Sequence, residues 1–274
     1  MKNVSLALVR VLIVLAMTSL GCASQTPQSD APDAADASAT PPAGEEGTMH
    51  NVLTSEEIAQ GWQLLFNGES TQGWRHYNGG ELRSGVDSGW MAVDGTLSFV
   101  PPNGLAEGTE AEGEGSDVVT ARSFGSFELS LEFRVAQGSN SGILYLVQEI
   151  PGAAIWHNAP EFQVLDDDAW ADAEDMDKHF TGDNYDLHAA PEKYGKRAGE
   201  WNHARIVIND GHVEHWLNGN KAVEYELWSD AWKELVAASK FAPFPQHGMA
   251  RSGSIGLQDH GGEVSYRNVK IRPL

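Results

Sequence analysis

The residues best suited to acid–base chemistry lie in a short strand-like segment, APEFQVLDDD, at positions 159–168. Because side chains alternate between the two faces of a β-strand, Glu161 and Gln163 share one face, and the apolar residues beside them face a core. Asp166 would join Glu161 only if a β-bulge added one residue, and bulges are common beside active sites. The spacing therefore predicts an acid, an amide and a second acid on one face of a sheet. It leaves open an edge strand whose polar residues are simply solvated.

Aromatic and acidic residues flank this segment and could line a pocket. Trp156 is suited to stack on the CH-bearing face of a sugar ring, and an ordinary core tryptophan is the alternative. The region 166–199 is polar and too long for a simple connection, which favours a functional loop. Within it, Tyr185 and Asp186 are candidate pocket residues, with packing of the loop itself as the alternative.

The composition argues against nucleic acid as a partner. The chain has 274 residues, with 39 Asp and Glu against 18 Lys and Arg, and a formal net charge of −21, so phosphate backbones would be repelled. Part of the acidic excess lies in the Gly-rich segment 107–117, which we interpret as a solvated loop that includes Asp117. No cofactor is certain. A divalent ion such as calcium stays open, because oxygen ligands abound although their spacing is not that of an EF-hand.

Residues 1–21 are typical of a bacterial export signal, in which positive charge accompanies a short apolar run. Ser19-Leu20-Gly21 then precedes Cys22, the only cysteine, in a pattern that resembles a lipoprotein box. We therefore expect lipid attachment at Cys22, with plain secretion as the alternative. Ala23 is not an inner-membrane retention residue of the Asp type, so we expect the protein at the outer membrane, facing the periplasm.

The rest of the chain divides into a tether and one folded domain. Residues 22–53 have almost no large apolar side chain and are predicted to be disordered. In the domain, 54–274, Asp94-Gly95 and Asp210-Gly211 each separate two strand-like runs, which is a strong hairpin signal. Thr54, with Glu57 three residues after it as in a capping box, and Ser229 are the predicted caps of two short helices. Many short strands separated by turns predict an all-β, concanavalin-like jelly-roll sandwich of two antiparallel sheets with one or two short helices.

Several segments distributed over 58–274 resemble the bacterial 3-keto-disaccharide hydrolase domain family. They are GWQLLFNGESTQGW, NSGILYLV, PEFQVLDD, HFTGDNYDL, GEWNHARIVI, HVEHWLNG, ASKF and GLQDHGGEVSYRNVKIRPL. These motifs are specific in combination, although WLNG alone occurs in many sandwich domains. The resemblance implies a concanavalin-like fold related to β-glucanases. It also implies an enzyme that cleaves glycosides already oxidised to a ketone at C3, such as 3-keto-trehalose.

The chemistry of such a substrate defines what the site must supply. A ketone at C3 makes the C2 proton acidic, so a base can remove it, and the C1 substituent can then leave by elimination. Water adds afterwards to the enone. This route requires a base, a proton donor for the leaving oxygen and a group that polarises the ketone. Direct displacement through an oxocarbenium-like state, with two carboxylates, is the alternative.

The resemblance assigns expected roles to particular residues. Glu161 is the first candidate for the acid or base and Asp166 the second, while His260 is a candidate proton shuttle or metal ligand, or else a turn residue. Gln163 stands where laminarinase-type β-glucanases carry an aspartate, so it would bind a hydroxyl group or orient Glu161. Lys240 could donate a hydrogen bond to the ketone oxygen, with a solvated lysine as the alternative.

Other predictions concern specificity and partners. Gln258, at the end of a strand before His260, is a candidate substrate-binding residue, and a sugar 3-oxidoreductase is the expected partner that makes the ketone. A non-catalytic carbohydrate-binding module is the competing function, although the acids favour an enzyme. Some relatives carry a basic residue in the strand that holds Leu144 and Leu146, so specificity would differ there. Three histidines are interpreted as structural rather than as metal ligands: His203, His212 and His215.

Overall fold

The computed structural model describes residues 49–82, 89–101, 117–171, 173 and 176–274. The predicted export segment, Cys22, most of the predicted tether and the acidic segment 107–116 lie outside the described residues. Asn51 is buried, and it exchanges hydrogen bonds of 2.6 and 2.8 Å with Asn268. The packed domain therefore begins slightly before position 54, within the segment that the sequence assigned to the tether. None of the helices in the described part of the chain is long and apolar enough to span a bilayer.

The described strands form two antiparallel sheets, as the jelly-roll prediction requires. The 8-stranded sheet has the order β11 (Asn220–Glu226), β10 (His212–Leu217), β9 (Asn202–Asn209), β6 (Phe127–Val135), β13 (Val264–Pro273), β4 (Thr96–Phe99) and β3 (Trp90–Val93), and β1 (Gln63–Leu64) pairs with β13. The 5-stranded sheet has the order β2 (Trp74–His76), β5 (Val118–Thr120), β12 (Ser254–Leu257), β7 (Asn140–Val147) and β8 (Glu161–Leu165). The helices are α1 (Ser55–Ala59) and α2 (Asp230–Ala237), with 3₁₀ turns at Ile155–His157 and Met176–Lys178.

Two hairpins turn at the dipeptides that the sequence indicated. Asp94 and Gly95, between β3 and β4, have φ of 48° and 72°, and Asp210 and Gly211, between β9 and β10, have φ of 48° and 95°. Positive φ at both central residues is the geometry of a type I′ turn, whose twist matches that of the flanking strands. Each dipeptide thereby fixes the register of its two strands.

Both helices begin at the predicted caps. The Thr54 hydroxyl accepts a hydrogen bond from the Glu57 amide at 3.2 Å, and the Glu57 carboxylate accepts one from the Thr54 amide at 2.8 Å, which completes a capping box. The Ser229 hydroxyl likewise accepts from the Trp232 amide at 3.0 Å at the start of α2. Trp232 and Val236 are the buried face of α2, which attaches that helix to the core.

The faces of β8 decide where the site lies. Phe162 and Val164 belong to the main core, and the Phe162 ring meets Phe133 of the larger sheet edge-to-face at 6.5 Å. Glu161 and Gln163 therefore point away from the larger sheet, which confirms the predicted alternation. They are nevertheless buried, because connecting segments cover the outer face of the smaller sheet. That covered face contains the candidate site.

Candidate active site

A row of residues crosses the outer face of the 5-stranded sheet. Gly142 on β7 pairs with Gln163 on β8, and the Gln258 amide donates to the Gly142 carbonyl oxygen at 3.0 Å. Extending the register of β5 and β12 by one residue places Asp117 beside Gln258. Asp117, Gln258 and Gln163 line a cavity of about 1320 Å³ together with Glu161. The row is thus the floor of a cavity large enough for more than one sugar ring.

The Glu161 carboxyl lies over Gly142, because glycine leaves the space that a side chain would fill. A Cβ atom on Gly142 would be 2.1 Å from Glu161 Oε1. The surrounding donors and acceptors orient the Gln163 amide so that its nitrogen donates to Glu161 Oε1 and to the Ser141 carbonyl oxygen, each at 3.1 Å. The position of the Glu161 carboxyl is therefore fixed by the space above Gly142 on β7 and by the hydrogen bond from the Gln163 amide on β8.

Burial controls the protonation of Glu161, whose side chain is 5% exposed. Burial raises the pKa of Glu161 from 4.5 to about 8, the positive charge of Lys240 opposes that rise, and the negative charge of Asp117 adds to it. A carboxyl whose pKa lies near neutrality can both accept and return a proton during one reaction cycle. Strong burial together with specific charged neighbours in a cavity is also the usual setting of a functional acid or base.

Asp117 is a second carboxyl in the cavity, and it is half-buried directly before β5, so its interpretation as part of a solvated loop is wrong. Burial raises the pKa of Asp117 to about 7, although its Oδ1 accepts a hydrogen bond from the Asp259 amide at 2.9 Å. The following residues, Val118 and Val119, are fully buried and carry Asp117 into the sheet. The short apolar run directly after Asp117 is the feature of the sequence that indicates a buried strand here, in spite of the acidic residues before it.

Lys240 brings a positive charge to the same cavity. Its Nζ lies 3.8 Å from the centroid of the Tyr185 ring and 5.3 Å from that of Trp156. Burial lowers the pKa of Lys240, and the charges of Glu161 and Asp186 partly oppose that change. No other lysine or arginine is among the described residues that line the cavity. An ammonium group in this position is suited to stabilise negative charge that develops on a substrate oxygen.

Asp186 lies outside the described lining of the cavity, so the expectation that it contacts substrate is corrected. Its Oδ2 accepts a hydrogen bond from the Lys240 backbone amide at 3.2 Å, and its Oδ1 is 3.4 Å from His179 Nε2. The backbone of Asp186 has a φ of 63°, which marks a sharp turn directly after Tyr185. Asp186 therefore supports Lys240 from behind, while the preceding residue, Tyr185, forms part of the cavity wall.

The structure brings the remaining candidates from the sequence to the cavity wall: Trp156, Tyr185, Gln258 and His260. His76 and His157, which no motif indicated, lie there as well. Burial lowers the pKa of both histidines, so both are neutral at neutral pH. The His157 ring stacks on Phe244 with centroids 3.9 Å apart, which fixes its orientation. These two histidines add uncharged hydrogen-bonding groups to the wall.

Asp166 does not join the row, and the predicted bulge is wrong. The pairing of β7 with β8 runs without a shift from Asn140–Leu165 to Leu144–Glu161. Asp166 follows the strand, donates its amide to the Ser139 carbonyl at 3.0 Å, and accepts a hydrogen bond from the Gly138 amide at 2.9 Å. It lies outside the described lining of the cavity. Its side chain instead closes the turn that precedes β7.

The three histidines interpreted as structural lie in different environments. His203 contacts the Ser130 hydroxyl at 2.9 Å on the larger sheet, whereas His215 is in the core, 2.8 Å from the Tyr145 hydroxyl. His212 is at the surface, where Glu214 and Glu224 come within metal-ligand reach of it.

A surface ammonium group already occupies the space between those two glutamates. Lys221 Nζ donates to Glu214 at 2.6 Å and to Glu224 at 2.7 Å. A divalent cation there would have to displace Lys221, so this group carries no argument for a metal centre. Leu144 and Leu146, the two positions at which specificity was expected to differ, are both buried. Leu144 lies opposite Glu161, and Leu146 belongs to the main core. This part of the site is therefore apolar.

The site is a set of carboxyl groups, amides and aromatic rings that converge on one covered face of an antiparallel β-sandwich, an arrangement suited to a glycoside hydrolase. A model of the family described as "3-keto-alpha-glucoside-1,2-lyase-like domain" matches residues 61–272. The chain belongs to this family.

Known proteins resemble the chain over most of its length. A "3-keto-disaccharide hydrolase" from Bacteroides thetaiotaomicron is 36% identical in an alignment of 238 positions that covers 79% of each chain. The crystal structure of a putative glycosyl hydrolase from Parabacteroides distasonis ATCC 8503 has a TM-score of 0.71 and 35% identity, and covers 82% of this chain and 100% of its own. A second structure of that description has a TM-score of 0.57 and 26% identity, over 78% and 99%. These likenesses confirm the predicted family and enzyme class.

Proposed function

We propose that the protein cleaves the glycosidic bond of 3-keto-glycosides, including 3-keto-disaccharides, by elimination followed by hydration. The observation that carries this proposal is the Glu161 carboxyl, held in the cavity floor with a pKa of about 8 beside Lys240. The names of the family and of the relative from B. thetaiotaomicron support the 3-keto substrate. The cavity, at about 1320 Å³, has room for a disaccharide.

In this proposal Lys240 binds the C3 ketone and Glu161 acts at the neighbouring carbon. The Lys240 ammonium stabilises the enolate oxygen as negative charge develops there, which lowers the barrier to proton removal. The ionised form of Glu161 takes the C2 proton, and its raised pKa makes it a stronger base than an ordinary carboxylate. Gln163 holds the carboxyl through its amide nitrogen, and Trp156 and Tyr185 supply apolar ring faces for the sugar.

Glu161→Gln tests this assignment, because it keeps the shape of the side chain and removes the titratable group. Turnover of 3-keto-trehalose should fall by roughly 10²–10⁴, the usual contribution of general acid–base catalysis, while KM changes little. Glu263→Gln, a change at an exposed carboxyl outside the described lining, is the matched control and should retain activity. Unmodified trehalose should be a poor substrate. Equal turnover of both sugars, or binding of 3-keto-trehalose without turnover by the wild-type protein, would contradict the proposal.

The proposal also places the enzyme at the outer membrane, facing the periplasm, through a lipid on Cys22. The motivation is the export segment and the lipoprotein box before the only cysteine. A sugar 3-oxidoreductase in the same compartment would supply the ketone. Cys22→Ala should move the protein from the membrane fraction to the soluble fraction of the cell envelope. Unchanged fractionation of this variant would remove the lipid anchor from the proposal.

A further inference from the structure

We propose that Asp117 is the second proton-transfer residue of this site, protonating the leaving glycosidic oxygen and then activating the incoming water. This inference rests on the proposed function and adds the residue that acts opposite Glu161. Nothing in the family motifs of the sequence indicated it. The row of residues across the sheet and the order of the charged groups along it point to this role.

The row sets the separation between the two carboxyl groups. Glu161 lies over Gly142 on β7, whereas Asp117 directly precedes β5, and Gln258, which directly follows β12, lies between them. Strands are about 4.8 Å apart, so the β7 and β5 backbones are separated by about 10 Å at this level. Both carboxyls line the same cavity, and the charge of Asp117 raises the pKa of Glu161. A sugar ring placed over Gln258 would have one carboxyl at each side.

The position of Lys240 determines which carboxyl acts at which carbon. Lys240 lies on the Glu161 side, because its Nζ is on the Tyr185 ring and the Tyr185 amide donates to the Glu161 carbonyl at 3.1 Å. A C3 ketone at Lys240 puts C2 near Glu161. The C1–oxygen bond, one atom further along the ring, is then directed towards Asp117. The order Lys240, Glu161, Asp117 thus matches the order ketone, C2 proton, leaving group.

The proton balance closes over one cycle. In elimination, Glu161 takes the proton from C2, the C2–H electron pair forms the C1–C2 double bond, and the C1–oxygen bond breaks as Asp117 gives its proton to the leaving oxygen. In hydration, the Asp117 carboxylate takes a proton from water as the water oxygen bonds to C1, and Glu161 returns its proton to C2. Both residues end in their starting states. The net reaction is hydrolysis, without an oxidant or reductant.

The environment of Asp117 suits both steps. A carboxyl with a pKa of about 7 is partly protonated at neutral pH, so it can donate in one step and accept in the next. The Asp259 amide donates to Oδ1 of Asp117, and no other side-chain hydrogen bond joins Asp117 to the described residues, which leaves Oδ2 for the cavity. The neighbouring His76 and His157 are poorer donors, because burial lowers the pKa of each.

Asp117→Asn tests the assignment on two substrates that share a 3-keto-glucosyl group. 3-Keto-trehalose has a poor leaving group that requires protonation, whereas the 4-nitrophenyl 3-keto-α-glucoside releases a stable phenolate without it. We expect kcat/KM for 3-keto-trehalose to fall by roughly 10²–10⁴, and the release of nitrophenolate to fall less than about tenfold. The conjugated enone should then accumulate and be seen by its ultraviolet absorbance, because water activation is also impaired.

The comparison separates the possible failures. Asp183→Asn is the matched control, since it removes another largely buried carboxyl with a pKa of about 7 that is outside the described lining; it should leave the ratio of the two rates unchanged. If the folded Asp117→Asn protein loses activity equally on both substrates, or keeps wild-type rates on both, the role of Asp117 is overturned. The proposed function would not be affected by either result. Failure of the wild-type protein to cleave either substrate would instead overturn the proposed function.

Discussion

Replacing Glu161 with glutamine should make the folded protein more stable than wild type at pH 8, although it removes the group proposed as the base. Burial raises the pKa of Glu161 from 4.5 to about 8, so the folded protein binds this proton more tightly than the unfolded chain. The contribution of this proton to the stability of the folded protein is complete below about pH 4.5 and is lost as the pH rises through 8. Glutamine resembles the neutral carboxyl and does not ionise, so the variant does not lose this part of its stability as the pH rises.

The magnitude follows from the pKa difference. Since a tenfold change in an equilibrium constant is worth about 1.4 kcal/mol, ionising the folded protein at Glu161 costs roughly 5 kcal/mol at high pH. Most of the change falls between pH 5 and pH 8, where linkage gives about 3–4 kcal/mol. For a domain of this size, that corresponds to a difference in Tm of roughly 6–16 °C. Asp117 adds a decline of the same sign, because its pKa is raised as well.

The assay is denaturant-induced and thermal unfolding from pH 5 to pH 9 for wild type, Glu161→Gln and the exposed control Glu263→Gln. The free energy of unfolding of wild type and of the control should decrease together with pH. The Glu161→Gln curve should decrease less and lie above them at pH 8. Parallel curves for all three proteins would refute the reasoning, because they would mean that the Glu161 carboxyl ionises in the folded protein much as it does in the unfolded chain.

Two further predictions concern the groups around Glu161. Gly142→Ala should reduce kcat by at least about 10², while circular dichroism shows the sheet intact. The reason is that the new Cβ would lie 2.1 Å from Glu161 Oε1 and would displace this atom. Wild-type activity would mean that the carboxyl need not lie over Gly142. Lys240→Met should reduce kcat by roughly 10²–10³. It should also shift the pH dependence of the remaining activity upward, because the Lys240 charge lowers the pKa of Glu161. A downward shift would contradict this electrostatic coupling.

Local sequence patterns predicted most of the fold. The alternation in β8 placed Glu161 and Gln163 on one face because the period of a strand is independent of its context. The dipeptides Asp94-Gly95 and Asp210-Gly211 predicted hairpins because few other residues adopt positive φ twice in succession. The caps at Thr54 and Ser229 predicted helix starts for an equally local reason, a side-chain acceptor for a free backbone amide.

Register and burial limited the prediction of the site. Asp166 would have needed a bulge, and whether a strand contains one depends on its pairing partner, here β7, rather than on its own residues. The sequence predicted a short strand over 117–120, which is confirmed by β5, but the acidic residues before Asp117 concealed that its side chain lies in the cavity. Asp186 was placed in the correct loop, but its contact with the Lys240 backbone depends on a turn that the sequence does not specify.

The charges around the cavity argue for elimination rather than displacement. A displacement route develops positive charge at C1, in an oxocarbenium-like state. Gln163 supplies a neutral amide where laminarinase-type β-glucanases carry an aspartate, and Lys240 brings a positive charge to the same cavity, which disfavours a cationic centre. In elimination the developing charge is negative, so the Lys240 ammonium group stabilises the enolate. The ionised form of Glu161 is suited to remove the C2 proton, because its raised pKa makes it a stronger base than an ordinary carboxylate.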